Sequence, residues 1–179
     1  MACFPGESLK LAQVPPGFEI SLFAAEPTVV NPIAMNWDHL GRLWVVEAFD
    51  YPHKIGTENP QDRIKILEDR DRDGRADAVT IFAEGLNICT SVLPVTGGAI
   101  ATDGPNMVLL RDTDGDKRAD QKDVLWSGIG LRDTHACVSN LRHGFDGWIY
   151  ATVGYSGLDV TVRGKRHKSS QAVFRFLPD

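Results

Sequence analysis

A twelve-residue pattern near the middle of the chain occurs twice. ILEDRDRDGRAD (66–77) returns as LLRDTDGDKRAD (109–120), with Asp69 matched to Asp112 and Asp77 to Asp120, 43 residues on in both cases. This repeat constrains the fold more than any other feature. A period of roughly 40–45 residues is what one four-stranded propeller blade uses. The similarity extends outward: each acidic segment is followed by a strand-like run, VTIFAEGL (79–86) and VLWSGIGL (124–131). A second pair, MNWDHLGRLWVVEA (35–48) and LRHGFDGWIYATVG (141–154), carries Gly41 and Gly147 at the turn and Trp44 and Tyr150 in the strand that follows.

Long helical periodicity is absent. Short apolar runs bounded by Gly, Pro, Asp and Asn recur instead, which is the all-β pattern. Four strands per blade follow. The first blade takes 30–37, 42–49, 63–68 and 78–83; the second takes 88–95, 98–102, 105–111 and 122–126; the third takes 136–143, 147–154 and 171–177. FEISLFAAEP (18–27) reads like a blade's fourth strand and is expected to close a ring. The expected fold is all-β, a partial β-propeller of one closing strand plus about three four-stranded blades. Residues 1–17 form an N-terminal extension and 18–179 an incomplete propeller domain that stops within its third blade. The unpaired edges left by such a stop need further blades to cover them.

Composition excludes some functions. The 179 residues carry a net charge of −5 with no basic patch, so nucleic acid is not an expected partner. No apolar run is long enough to span a bilayer. The start, MACFPGESLKLAQVPPGF, lacks the basic and apolar regions of a signal peptide. Cys3, Cys89 and Cys137 form no Cys-x-x-Cys pair and no haem-attachment motif, so no haem is expected in this chain. Cys89 and Cys137 read as small core residues. The basic stretch RGKRHK (163–168) reads as a solvated loop inserted in the third blade, and the four tryptophans read as inter-blade core.

The acidic repeats have two readings. Asp69, Asp71, Asp73 and Asp77, with Gly74, follow the first part of a calcium loop, as do Asp112, Asp114, Asp116 and Asp120. The departures are Thr80 where the bidentate Glu belongs, Gly115 placed early, and Lys117 where the first loop has Gly74. The other reading is a hairpin turn, because Asp and Gly favour turns for backbone reasons alone.

His135 would stand just before the innermost strand of the third blade, where a propeller's loops open onto its central funnel. A neutral imidazole there can take a proton from a substrate hydroxyl, and Asp133 is close enough in sequence to orient it. A funnel-lining or structural histidine is the other reading. Glu47, Asp50 and Tyr51 follow the second strand of the first blade and are placed to reach the same funnel.

The run from His135 through Leu141, Asp146-Gly147 and Tyr150 to Gly154 resembles the quinoprotein glucose/sorbosone dehydrogenase family. Over almost the whole chain, PPGFEISLFAAEP, GRLWVVE, RIKILEDRDRDGRAD, RDTDGDKRAD and DTHACVSNLRHGFDGWIY are similar to the N-terminal propeller of large planctomycete and verrucomicrobial proteins described as membrane-bound dehydrogenases. The resemblance implies a six-bladed ring binding pyrroloquinoline quinone (PQQ) and calcium, with His135 as the base in oxidation of a sugar or other alcohol. It also implies later blades that supply the quinone's basic and amide partners, further domains downstream, and an extracytoplasmic, periplasmic setting whose signal segment this chain lacks. A non-catalytic propeller that binds carbohydrate or protein within a larger extracytoplasmic protein is the alternative.

Overall fold

The computed structural model describes residues 5–177; Cys3 lies outside them. A short helix, α1 (Pro5–Lys10), precedes an irregular stretch, and the regular structure after it is β apart from one 3₁₀ turn at Thr134–Ala136. Strands β1 (Pro32–Trp37), β2 (Leu43–Glu47), β3 (Asp62–Glu68) and β4 (Ala78–Leu86) form one antiparallel sheet in chain order. Strands β5 (Val92–Val95), β6 (Gly98–Asp103), β7 (Asn106–Arg111) and β8 (Gln121–Ser127) form a second in the same way. The third sheet holds β9 (Val138–His143), β10 (Ile149–Val153) and β13 (Ala172–Phe176), and between its last two strands stands a hairpin, β11 (Leu158–Val162) with β12 (Lys165–Ser169). Two complete blades and three strands of another are the partial propeller that the repeat predicts.

The turns show why the chain reverses where it does. Gly41 and Gly147 both take positive φ, at +77° and +82°. Asp38 Oδ1 accepts from the amides of Leu40 and Arg42, and Asp146 Oδ1 accepts from that of Trp148. An aspartate that caps the turn and a glycine that completes it are hairpin chemistry. The matched pair in the sequence is therefore one structural device used twice.

Alternate side chains of each strand face neighbouring sheets, and this builds the core. Ala99, Ala101, Val108 and Leu110 of the second blade pack with Trp44, Val46, Ile64, Ile66 and Phe82 of the first. Ile100, Met107 and Leu109 point the other way, into Val138, Leu141, Ile149 and Ala151 of the third. Trp44 is buried edge-on to Phe82, and Trp126 packs on Phe174 and Phe176. Trp37, in contrast, is 54% exposed beside Phe23, and Trp148 lies under the Arg175 guanidinium. Cys89 and Cys137 are buried free thiols, as expected of core residues.

The innermost strands β1, β5 and β9 lie side by side. Asn36 in β1 joins all three, since its Nδ2 donates to Val92 O at 3.2 Å and to Leu141 O at 3.0 Å. Leu141 N in turn donates to Ser91 Oγ, and Thr90 Oγ1 to Val138 O at 2.6 Å. Because pairing within each blade is antiparallel, its connections fall alternately at the two ends of the molecule. The β2–β3, β4–β5, β6–β7, β8–β9 and β10–β11 loops share one end, and the acidic β3–β4 and β7–β8 loops share the other.

Two segments differ from the sequence reading. FEISLF forms no strand: β pairing needs a second edge, and this segment is held instead by Phe23 and Ala24 on the Val29, Leu43, Val45 and Leu67 cluster and by a bond from Ala76 N to Phe23 O. The basic stretch 163–168 is a turn and the second strand of the β11–β12 hairpin. Lys165 pairs with Val162 in register, and Arg166 makes a two-point ion pair with Asp159. Its neighbour Val160 sinks into the core beside Leu158, so the hairpin has an inside face that a solvated loop lacks.

The Asn36 side chain is the joint between three sheets, so Asn36→Ala is expected to lower the unfolding free energy by about 1–3 kcal/mol, through two carbonyls left without a donor. A chemical-denaturation midpoint measures it. A midpoint equal to that of the parent would show the joint to be dispensable.

Candidate functional site

At the end that carries the β2–β3, β8–β9 and β10–β11 loops, Thr134–Ala136 form a single 3₁₀ turn ahead of β9. Asp133 caps it, and its Oδ1 accepts from the His135 amide at 2.9 Å and lies 2.8 Å from His135 Nδ1. The carboxylate's other oxygen accepts the Tyr155 hydroxyl. These bonds, the Tyr155 hydroxyl first and the His135 amide and ring next, hold the Asp133 carboxyl down to about 2. The same contact pushes the Tyr155 phenol up. The His135 side chain is 65% exposed, and its ring meets the Tyr51 ring edge-on at a centroid distance of 5.1 Å. Thr134 Oγ1 donates to Pro52 O, which ties the first blade's β2–β3 loop to this turn.

The structure therefore brings His135 and Asp133 together, and Tyr51 with them. Glu47 and Asp50 do not join them. Glu47 is buried and accepts from Arg63, Lys65 and Val30 N; burial works to raise its pKa, yet these bonds outweigh it and leave it lowered. Asp50 is buried under the loop, accepting from Gln61 N and Asn87 Nδ2. Tyr155 is the residue that the sequence reading missed. Its one sequence signal is its place directly after Gly154, the last residue of the recognised run. A cleft of about 500 Å³ opens from Tyr155, lined also by Arg132, Ser156, Asp159, Lys168 and Ser169. His135 is outside its lining.

The acidic loops are at the opposite end. Carboxylate oxygens of Asp69, Asp71 and Asp77 lie within 4.8 Å of one another, as do those of Asp112, Asp114 and Asp116. Asp73 and Asp120 are outside these clusters. Asp73 accepts from Arg75 N, and Asp120 from the amide and hydroxyl of Thr113. Every one of the eight carboxylates also caps a backbone amide of its own loop, among them Gly74 N on Asp69 and Lys117 N on Asp112. Both loops place positive φ at the same two points, Arg72 and Gly74 in the first and Gly115 and Lys117 in the second. The displaced glycine is thus one backbone path with its glycine at either of two left-handed positions. Lys117 Nζ also reaches Glu68 Oε1 at 2.6 Å, which lowers the Glu68 carboxyl and joins the two loops.

Burial raises the Cys89 and Cys137 thiols, Cys137 to about 11, so neither is a thiolate near neutral pH.

The chain belongs to a protein family described as a domain of unknown function, DUF7133, whose model matches residues 4–179. No curated protein matches it. A solved structure assigned as a gluconolactonase is similar to it at 15% identity, over 84% of this chain and 51% of that one, with a TM-score of 0.49. The chain spans about half the length of that structure. A likeness at this level brings no activity to the chain.

The depressed Asp133 value gives a pH prediction. An ionised Asp133 stabilises the fold above the ordinary aspartate value of about 4. That contribution is lost as pH falls through the folded value of about 2. The stability difference between the parent and Asp133→Asn is therefore expected to shrink from pH 4 towards pH 2 and to vanish below it, as read from denaturation midpoints across a pH series. A difference that stays constant over that window would contradict the assigned pairing.

Proposed function

We propose that this chain supplies the proton-accepting part of a propeller that oxidises a sugar or other alcohol, with a bound quinone of the PQQ type as hydride acceptor. The observation that carries the reading is the imidazole of His135, exposed at the loop end and held through Nδ1 by Asp133. With Nδ1–H pointing at the carboxylate, Nε2 keeps its lone pair for a substrate hydroxyl. Tyr51 offers an aromatic edge beside it, and the hydroxyl- and charge-lined cleft starting at Tyr155 suits a polyhydroxylated molecule.

The quinone itself is a poorer fit to the residues present. A multiply charged quinone needs cations around it, and the ring neighbours of His135 are Asp133 and Tyr51, neither of them cationic. These residues supply a base without a cradle for the quinone. That gap favours a second reading, a non-catalytic propeller that binds carbohydrate or protein within a larger assembly.

Calcium fits the acidic loops by donor chemistry. Each loop gathers three carboxylates, and a hard cation that takes six to eight oxygens would complete its shell with carbonyls and water. Exposed sites of this kind fill only where calcium is abundant, roughly 0.1–1 mM, which favours an extracytoplasmic setting. The ion's role there is structural, tying β3 to β4 and β7 to β8.

Two experiments test these readings. In a protein with a complete ring, His135→Ala is expected to cut dye-linked sugar oxidation by at least about 100-fold, the usual scale of a lost general base. Turnover near the parent's would leave the binding-scaffold reading. Calcium is expected to raise the melting temperature of the parent and to leave the Asp71→Ala/Asp114→Ala double variant unmoved. An equal response in both proteins would remove calcium from the acidic loops.

A further inference from the structure

The Asp133 carboxylate has two oxygens and three donors around it. Oδ1 serves the His135 amide and ring, and Oδ2 takes the hydroxyl of Tyr155. The aspartate χ2 torsion is a broad, soft one, so a carboxylate with a partner on one oxygen only is free to swing. We propose that Tyr155 is a positioning residue for His135: by fixing Oδ2 it orients Oδ1 on the imidazole, and so holds the ring as its Nδ1–H tautomer with Nε2 as the open acceptor. The proposal rests on the reading of His135 as the proton acceptor.

The tautomer follows from donor and acceptor counting. An ionised carboxylate accepts and cannot donate. The proton between His135 Nδ1 and Asp133 Oδ1 therefore belongs to the ring, and in a neutral imidazole Nε2 is then bare. Nε2 has no partner among the described residues. The geometry of the Asp133 side chain thus decides which ring nitrogen can react.

Tyr155 is carried to this point by a zipped pair of loops. Gly154 N donates to Ala136 O at 3.1 Å, and Gly130 N to Gly157 O at 2.9 Å. Asp133 N donates to Ser156 Oγ, which itself donates to Asp133 O at 2.7 Å, and Arg132 Nη2 donates to Tyr155 O. The approach is close enough to require glycine. A Cβ on Gly130 would stand 2.0 Å from Ser156 O, and one on Gly154 would stand 2.9 Å from Ala136 Cβ. Bonds on both sides of Tyr155 therefore set the backbone from which its hydroxyl reaches Asp133. The arrangement is pre-organised in the sense that a catalytic support must be.

Nitrogen NMR of the ¹⁵N-histidine-labelled chain reads the tautomer directly and needs no turnover. The parent is expected to show His135 protonated at Nδ1 and bare at Nε2. Tyr155→Phe, with its amide spectrum otherwise retained, is expected to lower the Nδ1–H to Nε2–H ratio by about three- to tenfold, the scale of one hydrogen bond. An Nε2–H parent, or a ratio unmoved in Tyr155→Phe, overturns the proposal. Should that variant fail to fold, the parent's phenolic proton decides. A slowly exchanging downfield hydroxyl resonance close to Asp133 is expected, and its absence overturns the proposal equally. A ratio that responds in Tyr155→Phe while His135→Ala keeps full turnover leaves this positioning role standing and removes the proton-acceptor reading alone.

Discussion

The Asn36 amide ties together the three innermost strands around which the rest of the structure is arranged. Each blade is a four-stranded or three-stranded sheet that buries both faces only if its neighbours stand at fixed angles around it. Apolar contacts fill that space but do not fix a register, since they are non-directional. A side-chain amide that gives one hydrogen to β5 and the other to β9 does fix it. The bonds between Thr90 or Ser91 and β9 continue the same seam along the inner strands. With the inner strands locked, the loop that carries Tyr51 and the loop that carries His135 reach one another although 84 residues of chain separate the two side chains.

Much of this was readable from residues alone, for definite reasons. The 43-residue repeat fixed the blade length, and the Gly41 and Gly147 matches located equivalent turns because only a positive-φ position demands glycine there. Boundaries of the inner strands were less exact. β5 starts at Val92 rather than near 88, because the amides of Cys89, Thr90 and Ser91 before it are taken by the Asp62 and Thr102 side chains. The β11–β12 hairpin escaped detection because β12 places Lys, Arg and His on both of its faces. Only Leu158 and Val160 mark its inward face.

The site was legible in part. His135 and Asp133 are two residues apart, so a turn was enough to join them. Tyr155 lies twenty residues farther on and meets Asp133 only because β9 and β10 pair and return the chain. No spacing rule encodes such a contact. In the acidic loops, the regular Asp positions suggested equal ligands. The backbone gave them unequal work, with Asp73 and Asp120 turned away from the clusters that their neighbours form.

Placing the acidic loops and the His135 turn at opposite ends has an electrostatic consequence. The strands between them run four to nine residues, which is roughly 13–30 Å at about 3.3 Å per residue. At physiological ionic strength the field of exposed charges is screened within about 8 Å. The field of the eight carboxylates of the acidic loops, bare or bound, therefore fades before it reaches the other end. The two ends are electrically separate territories sharing one scaffold, and changes of charge at either can accumulate without being felt at the other.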